Sequence, residues 1–160
     1  MSGFVIYALP VDLGILALAP QPGGGGRYND DLAHLRDWRP ALVMSLTTRL
    51  EMAAAGATGL GQELRDMGTR WIHLPIPDFG IPDPGIEERW HTASNAALAA
   101  LRGGGRVLIH CRGGCGRSGM AVLRLMIEAG EDPDSALTRL RAIRPCAIET
   151  DAQLDWALDG

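Results

Sequence analysis

His110-Cys111-Arg112-Gly113-Gly114-Cys115-Gly116-Arg117-Ser118-Gly119 is the stretch on which the reading of this sequence turns. It follows a short apolar run, residues 107–110, and leads into a strongly apolar segment that ends near Ala129 and Gly130. A strand therefore delivers Cys111 to the edge of a sheet, and a helix begins near Arg117. Glycines 113, 114 and 116 let the intervening backbone curl with its N–H groups pointing inward. A nest of that kind at a helix N-terminus attracts an anion, and the same field favours a thiolate at Cys111. Arg117 offers a planar fork able to hold two oxygens of a phosphate. Ser118 can donate a hydrogen bond to the Cys111 sulfur and help it leave in a second step. A thiolate at the base of a phosphate-sized cup suits phosphoryl transfer through a cysteinyl-phosphate.

Working outward, residues 4–9 and 14–19 read as strands, with Pro10 and Asp12 breaking the apolar run. Residues 20–26 form a glycine-rich connection with no following Lys-Ser/Thr, which argues against a nucleotide loop. Asn29 is placed to cap a helix with Leu32, Leu35 and Trp38 at helical spacing. Residues 41–46 and 69–76 read as strands, and 49–55 and 61–67 as short helices. Pro77-Asp78-Phe79-Gly80-Ile81-Pro82-Asp83-Pro84 is a shaped loop. Helices follow over about 84–101, 117–129, 133–143 and 150–158. Alternation of strands and helices predicts an α/β fold with a central, largely parallel twisted sheet flanked by helices, in one domain over residues 1–160. The segment after the cysteine loop is apolar on nearly every face, so it is expected to be the buried central helix. Trp71, Trp90 and Trp156 read as packing residues.

Cys111, five residues and then Arg117 resemble the signature of the protein tyrosine phosphatase superfamily, and His110, Gly114 and Ser118 fit its longer form. The resemblance implies a cysteine-phosphatase type of α/β domain. A thiolate nucleophile needs a proton donor for the departing oxygen, usually a carboxylic acid on a separate loop. Asp83 precedes Pro84 and already has work as an N-cap. Asp78 has no competing local role. The stretch Pro75-Ile76-Pro77-Asp78 is similar to the general-acid loop of small dual-specificity phosphatases, particularly the kinase-associated phosphatase group, so Asp78 is the expected acid and Asp83 the reserve. Arg144-Pro145-Cys146-Ala147-Ile148-Glu149-Thr150-Asp151-Ala152-Gln153 resembles a further segment of that group. Gln153 either orders the hydrolytic water or simply closes a Thr150-x-x-Gln153 capping box.

Other residues have two readings each. His110 tunes the thiolate or orients the loop from within the core. Arg112 adds positive potential at the cup's mouth or points into water, and Phe79 walls the substrate or packs the acid loop. Arg112, Gly113, Gly114, Cys115 and Gly116 together are expected to surround the phosphate. Cys115 departs from the familiar form of the loop. A small filler is the simpler account, against a redox partnership in which oxidised Cys111 bonds to Cys115 or Cys146.

Composition bounds the function. The chain has 160 residues, 15 basic and 19 acidic, for a net charge of −4, and all its basic residues are arginine. A net acidic chain binds nucleic acid and anionic membrane poorly, and without lysine there is neither Schiff-base chemistry nor a P-loop lysine. His34, His73 and His91 lack metal-ligand spacing, so no metal or other cofactor is expected. Three cysteines leave at least one thiol free, which suggests a reducing, cytoplasmic setting. No basic residue precedes Arg27, so a secretory signal is not expected, and no apolar run is long enough to span a membrane. The expected activity is two-step hydrolysis of a phosphate monoester on a phosphorylated protein or peptide, with phosphate, sulfate or vanadate binding the loop. The alternatives are a phosphoinositide or small-molecule phosphatase using the same cup, and a phospho-recognition module that binds without hydrolysis.

Overall fold

In the computed structural model, residues 3–159 are described. Five strands, β1 (Tyr7–Val11), β2 (Gly14–Ala19), β3 (Leu42–Ser45), β4 (Arg70–His73) and β5 (Arg106–His110), form one sheet in the order β1-β2-β5-β3-β4. β1 is antiparallel to β2, and every other pairing is parallel. Among the described residues seven helices accompany them: α1 (Tyr28–Trp38), α2 (Arg49–Ala54), α3 (Leu60–Asp66), α4 (Pro84–Arg102), α5 (Gly116–Glu128), α6 (Pro133–Ile143) and α7 (Asp151–Leu158).

The central strands are covered on both faces, which is why they read as near-continuous apolar runs. Their alternation sorts the core into two layers. Leu16, Leu18, Met44, Val107 and Ile109 meet the side that holds α4 to α7, where Trp90, Met120 and Leu123 are buried. Ala17, Ala19, Val43 and Leu108 meet the other side, with Leu35, Met52, Leu60 and Leu64 from α1 to α3. α5 is buried at each residue from Gly116 to Met126, as its apolar composition predicts. Among the described residues no helix is long and apolar enough to cross a membrane.

Local chemistry explains the helix starts. Asp83 and Asp132 cap α4 and α6 ahead of a proline, while α2 and α7 open with reciprocal capping boxes, Thr48–Glu51 and Thr150–Gln153. Some expectations are corrected. Asn29 is not a cap: α1 begins at Tyr28, with Arg27 before it and no side-chain cap. The carboxylate that satisfies the chain here is that of Asp31, which accepts from Gly23 N–H at 2.8 Å. β1 runs through Pro10 rather than stopping before it, because an edge strand tolerates a residue with no N–H to donate. β4 is shorter than 69–76, although single bonds from Leu74 and Ile76 to Ser45 and Leu46 prolong the pairing. Trp71, half-buried on the edge strand, packs against the core as expected.

The consequence for function is positional. β5 leads directly into Cys111, β4 into the loop carrying Asp78, and β3 into the start of α2. Because these three strands are parallel, their carboxyl ends open on one edge of the sheet, where α/β folds gather ligands.

Candidate active site

Beyond β5 the chain turns sharply, and its backbone carbonyls are each claimed from outside. Gln21 N–H donates to Arg112 O at 3.0 Å, Arg144 Nη2 to Gly113 O at 2.9 Å, Arg144 Nε to Gly114 O at 3.1 Å, and Ile148 N–H to Cys115 O at 3.1 Å. With its carbonyls drawn outward, the loop turns its amides inward. Among the described residues, no protein acceptor takes the N–H of residues 112–117. Gly114 has φ +71°, and a Cβ there would lie 2.8 Å from the Ala19–Pro20 backbone, so glycine is required twice over. Gly119 lets α5 approach the 147–148 backbone, which a Cβ would meet at 2.7 Å.

Cys111 is buried and unpaired, with Sγ 3.2 Å from Ser118 Oγ. Ser118 lies in the first turn of α5, whose N-terminal field also bears on the sulfur. Arg117 is 1% exposed. Its Nη1 and Nη2 form a bidentate pair with Glu51 at 2.7 and 2.8 Å, Nη1 also donates to Ile76 O at 2.8 Å, and Nη2 lies 3.1 Å from Asp78 Oδ1. Burial works against the Arg117 charge, but the Glu51 bond and the fields of Cys111 and Asp78 outweigh it and raise its pKa. The reciprocal bond from Arg117 holds the Glu51 carboxyl at about 2 against its desolvation, with help from Thr48. Arg117 Nε alone is left over: a buried donor without a partner. An orphaned donor of that kind is costly unless an acceptor arrives, and an oxyanion in the cup would be one.

His110 is fully buried, its Nε2 2.6 Å from Ser45 Oγ and its Nδ1 3.4 Å from Cys111 O. Burial pushes it down to about 4, so the ring is neutral near pH 7. A neutral ring carrying its proton on Nδ1 satisfies both contacts, with Ser45 donating to Nε2 and itself receiving the Trp71 indole N–H at 2.8 Å. Such a ring braces the backbone under Cys111 rather than adding charge.

The two acid candidates part company. Asp83 Oδ1 accepts from Ile86 N–H at 2.8 Å, its capping bond. Asp78 accepts from Phe79 N–H at 3.0 Å and stands beside Arg117. Phe79 is 60% exposed and holds φ +61°, a backbone state unusual for an aromatic residue. Gln153 is buried, its Oε1 accepting from Glu149 and Thr150 N–H and its Nε2 donating to Gly80 O at 3.2 Å. Both ends of that amide are engaged, and the capping box accounts for the residue. Arg112 is exposed at the rim of a cleft of about 900 Å³ beside the loop.

Cys115 is no passive filler. It forms a disulfide with Cys146, with Cα atoms 5.2 Å apart, and the third cysteine, Cys111, stays reduced. The pair cannot serve Cys111 while bonded to each other, and a cysteine count no longer argues for a reducing compartment.

Two contributors, Glu51 and Arg144, give no sign in the sequence of their part in the site, although Arg144 opens the segment that resembles the phosphatase group. Glu51 forms a local capping box with Thr48, but its partner Arg117 lies 66 residues away. Arg144 grips the loop carbonyls while stacking on Tyr7, 4.2 Å from the ring centroid. Only folding brings these together.

The family model described as "Swiss Army Knife protein, DSP-PTPase phosphatase domain" matches residues 24–156. Cyclin-dependent kinase inhibitor 3 of Mus musculus is 32% identical over 128 residues, which are 79% of this chain and 59% of the relative. The chain thus spans less than two thirds of that protein's length. Among solved structures, the kinase associated phosphatase with serine in place of its catalytic-site cysteine aligns with a TM-score of 0.82, at 23% identity, covering 98% of this chain and 93% of that one. Tk-PTP in its active form aligns with a TM-score of 0.74 at 28% identity, covering 96% and 95%.

Proposed function

This chain belongs to the DSP-PTPase phosphatase domain family, and from that premise we propose that it is a cysteine-dependent phosphate-monoester hydrolase acting on phosphorylated protein or peptide. The observation that carries the reading is the cup itself. A buried free thiol, a set of inward amides, an arginine with an unpartnered Nε and a carboxylate 3.1 Å from that arginine converge at one sheet edge.

In this reading the Cys111 thiolate attacks phosphorus, forming an S–P bond as the P–O bond to the leaving group breaks. Asp78 gives its proton to the departing oxygen. Arg117 and the loop amides hold the equatorial oxygens as charge spreads over them. Water then attacks the cysteinyl-phosphate and gives a proton to Asp78. The S–P bond breaks, and Ser118 supports the returning thiolate by hydrogen bonding. Asp78 must exchange its contact with Arg117 for one with substrate, and the arriving phosphate supplies the anion that releases it.

Turnover of p-nitrophenyl phosphate, inhibited by vanadate, is the direct test. Cys111→Ser is expected to abolish turnover while retaining vanadate or phosphate binding. Asp78→Ala is expected to cost ~10²–10⁴-fold with a poor leaving group and less with a good one. If Asp83→Ala loses that factor and Asp78→Ala does not, the acid has been misassigned. Oxyanion binding with no turnover of any phosphate ester would instead favour a recognition module.

A further inference from the structure

A second cavity, about 1110 Å³, lies along the outer edge of the sheet rather than at the cup. Arg49, Arg65, Arg70 and Arg89 line it, against a single acidic residue, Glu88. None of the four arginines is in an ion pair among the described residues. In a chain of net charge −4 this is a concentrated patch of the opposite sign.

The floor of the groove is β4, an edge strand whose strand neighbour is β3. Arg70 and Leu74 direct their N–H groups to Ala41 O and Ser45 O. By strand alternation the main-chain groups of Trp71 and His73 face the open side. Arg89 Nη2 already reaches His73 O at 2.6 Å. Trp71 stacks on His73 with centroids 5.2 Å apart, and Arg65 sits 5.2 Å above the indole. The indole N–H is committed inward to Ser45, so the ring offers apolar area and not a donor. Burial holds His73 below its ordinary pKa, and the fields of Arg49 and Arg89 add to the effect. Leu50, 84% exposed, borders both this groove and the cleft beside the cup, and the next residue, Glu51, holds Arg117.

We propose that this groove docks an extended acidic segment of the phosphoprotein substrate, which adds to β4 as a further strand with its carboxylates on the four arginines. Unpaired strand edges recruit extended chains through main-chain bonds, and charge selects which chains. Arginines along an edge oppose pairing with a second copy of the same basic edge, which favours a foreign acidic partner. In naming a substrate class the proposal rests on the hydrolase reading; the binding it describes does not.

The test uses labelled octapeptides of alternating Glu-Thr and Gln-Thr, followed by fluorescence anisotropy on the wild-type chain and on Arg65→Glu/Arg70→Glu. The expected result is binding of the Glu-Thr peptide at least ~10-fold tighter than the Gln-Thr peptide, lost in the variant and insensitive to saturating vanadate. A tyrosine-phosphorylated peptide with the Glu-Thr extension should then show a KM about 10-fold below its Gln-Thr counterpart in the wild type alone, with p-nitrophenyl phosphate turnover equal in both proteins. Equal binding of the two octapeptides, binding retained by the variant, or displacement by vanadate overturns the proposal. So does equally tight binding of an oligothymidylate of eight nucleotides, or a dimer in sedimentation that the variant abolishes. Failure of turnover with peptide binding intact would count against the hydrolase reading alone.

Discussion

At Arg117 the guanidinium meets two demands. It must be buried under the cup to face the phosphate, and its charge must be balanced before any phosphate arrives. Glu51 does the balancing through two short bonds, 2.7 and 2.8 Å, that also fix the plane of the fork. Removing one partner of a buried pair usually costs ~3–5 kcal/mol, because the other charge is stranded. Here Asp78 and Ile76 O remain on Arg117, and the Glu51 side chain is 19% exposed, so Glu51→Ala is expected to cost about 3 kcal/mol, toward the lower end of that range. Part of the loss belongs to the capping box. Glu51→Gln, which can still accept from Thr48, isolates the ion pair, and urea unfolding of both variants separates the two contributions. An Ala variant as stable as the parent would show that Arg117 is balanced elsewhere.

The element that shapes the cup is not the cysteine loop alone but that loop together with the segment from Arg144 to Thr150. Arg144 holds two carbonyls, Ile148 N–H a third, and the Cys115–Cys146 bond ties the two pieces covalently across 31 residues. Closing a loop of that length removes ~3–4 kcal/mol of unfolded-state entropy. Cys146→Ser should therefore lower stability by about 3 kcal/mol, and reduced wild type should unfold at the same urea midpoint as that variant. If the reduced wild type keeps the oxidised midpoint, the bond contributes nothing to the fold. The motif itself was legible in the sequence because a glycine-rich turn, its nucleophile and its arginine are contiguous, and the caps at Asp83 and Thr150 are local for the same reason. The backing plate was not. Arg144 and Cys146 lie in a segment whose resemblance is visible in the sequence, but their contacts with the loop, like that of Glu51, cross the fold, and no periodicity or spacing records such a pairing. Asn29 shows the converse error: a good capping residue is passed over because Asp31, two places on, is needed to hold Gly23.

Across the whole molecule, the same burial that orders the site makes the fold sensitive to acid. The unfolded chain takes up a proton on a histidine near pH 6.5. The folded chain refuses it at His110 until about 4, because the ring is fully buried and that burial outweighs the opposing hydrogen bond to the Cys111 carbonyl. Over that interval the unfolded state binds the additional proton, so stability falls as pH drops from about 6.5 to 4, by about 3 kcal/mol, and this contribution is level outside it. His73, lowered chiefly by its own burial, adds to the loss in the same direction. Glu51 acts lower down: its carboxyl, held at about 2 by Arg117 against an ordinary 4.5, contributes stability fully present above 4.5 and surrendered as pH falls toward 2. The two windows adjoin, so the urea midpoint should be level from pH 7.5 to about 6.5 and then decline steadily to pH 3, with no intermediate maximum. Replacing His110 by Gln, which keeps a polar group opposite Ser45, should flatten the part between 6.5 and 4.5 while leaving the acid limb in place. A wild-type midpoint that holds constant from pH 7.5 to 4.5 would mean that His110 accepts its proton without penalty, and the neutral, bracing ring beneath Cys111 would have to be given up.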